Sequence, residues 1–207
     1  MPTHPLWRPF ELVDLDAAAG VLVEGLTRTP RQITVVPYDP SWPSRYEALA
    51  LLVRSALGDR VLALDHVGST SVAGLAAKPV IDADLTVADS ADEESYVPDL
   101  ERAGLVLRVR EPDWEQHRML TVPDRSLNLH VFSAGAAEPH RHLLFRDWLR
   151  GHAEDRELYA AHKAALAQRG FTDAMDYNNH KAALVYDIYE RAFAADPEHG
   201  HDPQPRV

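Results

Sequence analysis

The 207-residue sequence contains no cysteine. That excludes disulfides and thiolate metal sites, and it fits a reducing, cytoplasmic setting. No run of about 18 apolar residues occurs, so no membrane-spanning helix and no membrane partner are expected. The first residues, MPTHPLWRPFE, lack the basic-then-apolar order of a secretory signal. Positive charge is scarce: 21 Lys and Arg stand against 32 Asp and Glu, a net charge of −11. Such a chain is not expected to bind duplex nucleic acid through a broad basic face. No internal repeat is present.

The length suits one domain with a helical extension. The basic residues are unevenly spread. Arg118, Arg125, Arg141, Arg146, Arg150 and Arg156 lie between His117 and Lys163, with His130, His140, His142, His152 and His162 among them. Two readings stand open: a solvated face that offsets the acidic parts, or a local pocket for an anion.

Leu12, Leu15, Ala19, Leu22 and Leu26 recur at helical spacing and predict one helix over 12–27, ended by Gly25 and the Thr29-Pro30 break. Residues 1–30 thus read as an N-terminal arm. Ile33–Val36 is a short strand candidate. A helix over 43–57 follows, with Pro43 in its first turn and Gly58 after its end. Further strands are expected at 61–67, 80–87, 105–110, 118–122 and 127–133, with a short helix at 70–76 and another over 90–103. From about 138 the periodicity is helical, over 142–152, 155–169 and 176–194. The main domain is therefore 31–195. The tail 196–207, with three prolines and little that is apolar, is expected to be disordered.

The candidate chemistry sits between the second and third of these strands. On the strand at 80–87 side chains alternate, so Ile81, Ala83 and Leu85 share one face while Asp82 and Asp84 share the other. Two unpaired carboxylates buried together would cost several kcal/mol. A divalent cation relieves that cost, and Mg²⁺ favours carboxylates plus substrate phosphates. The alternative is a pair of solvated aspartates at a strand end. Ahead of them stands Gly68-Ser69-Thr70-Ser71. Glycine lets backbone approach an anion closely, and main-chain N–H groups with hydroxyls at a helix start favour phosphate. Arg146 and Arg150, Tyr159 and Lys163, and Tyr177 and Lys181 are each four apart and face the same way on helices. Their cations suit phosphate, as does Lys78 just before the carboxylate strand, although paired helix-surface charges are the alternative. His140 with His142 and His199 with His201 resemble metal pairs only weakly.

Gly68-Ser69 followed by Asp82-Ala83-Asp84 resembles the signature of the nucleotidyltransferase superfamily. More narrowly, the chain resembles the GrpB-like family. The matching stretches are Val36-Pro37-Tyr38-Asp39-Pro40-Ser41-Trp42-Pro43, the run from His66 to Asp82, Leu129-His130-Val131, Phe145-Arg146-Asp147-Trp148-Leu149-Arg150, and Tyr159 with Lys163. The resemblance implies an α/β nucleotidyltransferase-like core with a mixed sheet, followed by a C-terminal helical segment. It implies that the Gly-Ser turn grips a nucleoside triphosphate and that Asp82 and Asp84 bind Mg²⁺ or Mn²⁺. Active superfamily members usually add a third carboxylate on a later strand, and here His130 occupies that place. Three outcomes are open: a softer metal such as Mn²⁺ with His130 as ligand, His130 as general base, or lost catalysis.

Two functions follow. The first is a metal-dependent enzyme moving a nucleotidyl group from a nucleoside triphosphate to a small-molecule acceptor. Asp82, Asp84 and His130 would be its catalytic and metal-binding residues. Gly68, Ser69, Thr70, Ser71, Lys78, Arg118, Arg146, Arg150, Lys163 and Lys181 would hold phosphate or acceptor. The second is a binding module that keeps the fold, and a nucleotide or phosphorylated metabolite, without turnover.

Overall fold

The computed structural model describes residues 2–15, 17–27 and 30–206, except for the side chains of Ala18 and Ala19. Five strands, β1 (Ala63–Val67), β2 (Ile81–Val87), β3 (Val106–Glu111), β4 (His117–Thr121) and β5 (Leu127–Ser133), form one mixed sheet in the order β1-β2-β5-β4-β3. The β2–β5 pair is parallel and the other three are antiparallel. Among the described residues six α-helices accompany it: α1 (Ala17–Gly20), α2 (Trp42–Leu57), α3 (Val97–Arg102), α4 (Ala137–Gly151), α5 (Ala153–Ala167) and α6 (Ala174–Ala194). This is the expected α/β class. No helix of the described residues is long and apolar enough to cross a membrane.

The sheet has one apolar face because Ile81, Ala83, Leu85, Leu129 and Val131 all turn the same way in the paired registers. Helix α2 covers it with Trp42, Leu49, Val53 and Leu57, and α3 with Val97 and Leu100. Pro43 starts α2 where a missing N–H costs nothing, and Gly58 ends it at φ +56°. The other face carries Asp82, Asp84, Asn128 and His130. Over this face α4, α5 and α6 close a second cluster from Leu149, Tyr159 and Ile188, together with Val72 and Leu75 of the loop after β1. Asp173 caps α6 by accepting from the Met175 and Asp176 N–H groups.

Four expectations change. The arm forms only the short α1 rather than a helix over 12–27; Asp16 of that span, and Thr29 of the break after it, lie outside the described residues. Val21 and Val23 instead pair with the outer edge of β3, through Arg110 N–H to Val21 O and Val23 N–H to Arg108 O. The open backbone of an edge strand wins the arm away from helix. Ile33–Val36 is an extended connector, tied to the α5–α6 loop at Phe171 and to Ala77 by single bridges. The helix expected at 70–76 is one 3₁₀ turn, Ser69–Ser71. The described part of the tail is ordered: His201 and the Gln204 N–H both bind Glu190 of α6, and the Asp202 N–H donates to Pro2 O. Buried hydrogen-bond partners fix a segment whose composition alone argues for disorder.

Candidate active site

Gly68 ends β1 at φ +67°, a conformation costly for any residue with a Cβ. A Cβ added there would stand 2.8 Å from Asp82 Oδ2 and 3.2 Å from Asp82 Cβ. The turn is therefore cut to admit the first aspartate. Gly68→Ala is expected to cost about 1–2 kcal/mol in urea denaturation from backbone strain. It should also displace Asp82, seen as a weakened Asn128 contact in the variant's structure. An unchanged midpoint would show that the turn tolerates the methyl group.

The other three loop residues divide their work. Ser71 Oγ folds back onto Gly68 O at 2.6 Å, and Thr70 Oγ1 lies 3.0 Å from His66 Nε2. Both are buried and act as pins of the turn rather than free phosphate ligands. Ser69 Oγ accepts from Lys163 Nζ at 2.9 Å, and Lys163 also donates to Ala76 O at 2.7 Å. Lys78 and Lys181 approach the same Tyr177 ring, at 5.3 and 5.6 Å from its centre. Three expected cations thus converge beside the Gly-Ser turn. Burial, reinforced by the neighbouring cations, pushes Lys163 down to about 6 and Lys78 down to about 8, and burial lowers Lys181 too. The Tyr177 hydroxyl is buried there with no hydrogen-bond partner among the described residues. A cluster of mutually repelling lysines beside that hydroxyl suits an anion. It is built from side chains, since a single 3₁₀ turn offers no helix N-terminus.

The two aspartates are held differently. Asp82 Oδ1 accepts from Asn128 Nδ2 at 2.8 Å, across the β2–β5 pair. Asp84 is 1% exposed, and its Oδ2 is 2.8 Å from His142 Nδ1. His142 Nε2 is 3.6 Å from Glu138 Oε1. Burial lowers the His142 imidazole, but Asp84 and Glu138 outweigh it and leave it raised. Part of the relief expected from a cation therefore comes from this histidine. Asp84 Oδ1, however, is buried with no partner among the described residues. Asp65 faces Asp84 directly across β1–β2, on the same side of the sheet.

His130 joins Asp84 in register, but it does not complete a metal triad. Its Nε2 is 3.8 Å from Asp82 Oδ1, and its Nδ1 is 3.0 Å from His117 Nε2. Among the described residues only His4, Asp196 and His199 bring three donor atoms within ligand reach of one another. That cluster ties the N-terminal arm to the chain after α6. The Leu6 N–H donates to His4 Nδ1, and His4 Nε2 and His199 Nδ1 both lie 2.9 Å from Asp196 Oδ2.

Three expected arginines lie elsewhere or serve otherwise. Arg118 points to the opposite, apolar side of the sheet, level with Val131, and donates to Glu93 at 2.5 Å. Strand alternation separates it from His117 and Met119, so it is not part of the site. Arg146 donates to His66 O and Arg150 to Ser71 O, while both hold Asp147. They brace the backbone around the turn. Of the basic stretch between His117 and Lys163, these three arginines are thus engaged by Glu93, by backbone carbonyls and by Asp147.

Residues outside the expected set also contribute. Asn128, two residues before His130 and on the same face of β5, holds Asp82. His142, read from sequence only as a weak metal pair with His140, instead holds Asp84, and Glu138 of the same helix backs it. Arg8 lies 3.7 Å from Glu138, and Arg141 donates to Leu6 O, so the arm buttresses the helix that clamps Asp84.

Residues 32–191 match the family model described as GrpB protein. A UPF0157 protein of Halalkalibacterium halodurans is 51% identical over 162 residues, covering 78% of this chain and 83% of its own. One from Streptomyces coelicolor is 43% identical over 164 residues, covering 79% and 86%. The dephospho-CoA kinase of Mycolicibacterium paratuberculosis is 31% identical over 194 residues, which is 81% of this chain but 47% of that protein. The crystal structure of the conserved protein GrpB from Enterococcus faecalis has a TM-score of 0.69 and 31% identity, covering 77% of this chain and 97% of that one. With the mixed sheet and the Gly-Ser turn beside its aspartate pair, these matches show that the chain belongs to the GrpB family, a nucleotidyltransferase-like group.

Proposed function

We propose that the protein is a metal-dependent nucleotidyltransferase acting on a small-molecule acceptor, in the cytoplasm. One observation carries the reading: a carboxylate pair and a three-lysine cluster flank the same glycine turn, with a buried Asp84 oxygen left without a partner among the described residues. Hard oxygen donors suit Mg²⁺ or Mn²⁺, and Asp82 and Asp84 would hold it together with substrate phosphates. When bound, such an ion supplies charge neutralisation at the phosphates. Lys78, Lys163, Lys181 and Ser69 bind and orient the triphosphate. As the acceptor oxygen bonds to the α-phosphorus, the bond from that phosphorus to its bridging oxygen breaks and pyrophosphate leaves with the electron pair. His130 takes the acceptor's proton.

The kinase name of the mycobacterial relative belongs to a longer protein, of which this chain matches less than half. It does not by itself supply an activity here. The second reading, a module that binds a nucleotide or phosphometabolite without turnover, is favoured by the His142 clamp on Asp84. Incubation with each nucleoside triphosphate, Mg²⁺ or Mn²⁺ and a metabolite extract as acceptor pool separates the two. Pyrophosphate release well above that of Asp82→Asn supports the enzyme. Equal release, with metal-independent nucleotide binding in calorimetry, supports the module.

A further inference from the structure

His117 lies on β4, 3% exposed, with both ring nitrogens engaged. Its Nδ1 is 2.6 Å from Glu111 Oε2 on the neighbouring strand. An ionised carboxylate only accepts, so Nδ1 carries a proton. Burial pushes the His117 imidazole down to about 4, so near neutral pH that is its one ring proton. Its Nε2 is then an acceptor, and the partner 3.0 Å away, His130 Nδ1, must be the donor.

The consequence passes to the far side of the second ring. When His130 carries a single ring proton, donation through Nδ1 leaves Nε2 bare. That atom faces Asp82 Oδ1 at 3.8 Å, beyond hydrogen-bond length. In that state two acceptors face each other across the gap, which then has room for a donor. Packing keeps the rings in line: His117 stacks on His130 at 5.1 Å between centroids and is flanked by Trp114 at 5.0 Å and Phe132 at 4.9 Å. The tautomer of a working imidazole is set by the hydrogen bond that its other nitrogen makes.

We propose that Glu111 and His117 are positioning residues that lock His130 in its Nδ1–H tautomer, so that its Nε2 accepts the proton of a hydroxyl-bearing acceptor lodged against Asp82. The role of that proton rests on the nucleotidyl-transfer reading, whereas the tautomer does not. In the step, the acceptor's O–H bond breaks as its oxygen bonds to the α-phosphorus, and the proton ends on Nε2. Pyrophosphate departs with the electrons of the broken phosphorus–oxygen bond. The resulting imidazolium lies beside Asp82. Amine acceptors are compatible only when uncharged, so alcohols are the favoured class.

Long-range ¹H–¹⁵N correlation spectra of the full-length protein near pH 7.5, with His130 assigned through His130→Gln, read the tautomer directly. The expected result is a protonated Nδ1 and a bare Nε2. In His117→Phe the acceptor is gone, and His130 should move to the other tautomer or a mixture. Glu111→Leu, at a part-exposed strand end, releases the same constraint with less disturbance of the core. In both variants kcat for transfer should fall about 10²-fold with KM nearly unchanged. A protonated Nε2 in the wild type overturns the proposal, as does an unmoved tautomer in both variants. A shifted tautomer with unaltered kcat overturns its catalytic half. If the wild type consumes no nucleotide at all, the transfer reading falls, and the spectra still decide the positioning role.

Discussion

Asp84→Asn is expected to abolish metal-induced stabilisation of the protein and to lower nucleotidyl transfer by about 10³-fold or more. Asp84 is 1% exposed and engages His142 through one oxygen only. The other oxygen is buried and unpaired, an arrangement that costs about 1–3 kcal/mol unless something binds there. An ion that binds the native state alone stabilises it by about 2.7 kcal/mol at 100 times its dissociation constant. For a chain of this size that is a rise in Tm of roughly 5–10 °C. Asn presents an amide that repels a cation through its N–H₂ edge, yet it still offers His142 an oxygen, so the fold should survive. Thermal unfolding with and without Mn²⁺, on the wild type and the variant, makes the measurement. Equal shifts in both would sink the assignment of Asp84 to the ion. Equal transfer rates would sink its part in catalysis.

The same pair of aspartates shows how far local pattern reaches. Alternation along β2 put Asp82 and Asp84 on one face, and pairing with β5 puts Asn128 and His130 level with them. The registers of the apolar residues follow from the same period, as do the helical repeats that became α2, α4, α5 and α6. What neutralises the carboxylates was not legible, because it depends on how distant segments meet. His142 reaches Asp84 from a helix that begins after all five strands, and Lys163 reaches Ser69 from the helix beyond it. Arg118 had the right charge and the right neighbourhood in sequence. Its exclusion follows from the β4–β5 register, which alternation alone cannot supply. Arg146 and Arg150 were read with the correct spacing and face, but backbone carbonyls of the turn take their donors first. The N-terminal arm inverted its expected structure for a similar reason: an unpaired edge at β3 competes with helix for its backbone.

Lys163→Met should weaken binding of a nucleoside triphosphate by at least about 30-fold while making the ligand-free protein less sensitive to pH. Truncating a buried, hydrogen-bonded charge partner costs about 2–5 kcal/mol of affinity, or upwards of 30-fold. Methionine keeps the apolar stem in its place against Tyr159, where the lysine Nζ sits 4.4 Å from the ring centre. In the ligand-free wild type, burial with Lys181 and Lys78 nearby holds Lys163 at about 6, against 10.5 for an unperturbed lysine. Between those values the unfolded chain binds one more proton than the native one, so stability rises with pH through that window. Its slope has a ceiling of about 1.4 kcal/mol per pH unit from this group. The penalty is complete below the native value and gone above the unfolded one, and the variant's difference from wild type isolates it from other titrations. A bound triphosphate supplies the missing counter-charge and restores the lysine's proton. Binding near pH 7.5 should therefore take up protons, which calorimetry in buffers of differing ionisation enthalpy will count. The uptake should shrink in Lys163→Met, leaving the smaller share owed to Lys78, which sits at about 8. A binding enthalpy independent of buffer would remove the anion pocket from the site, because three crowded lysines cannot accept a polyphosphate without regaining charge.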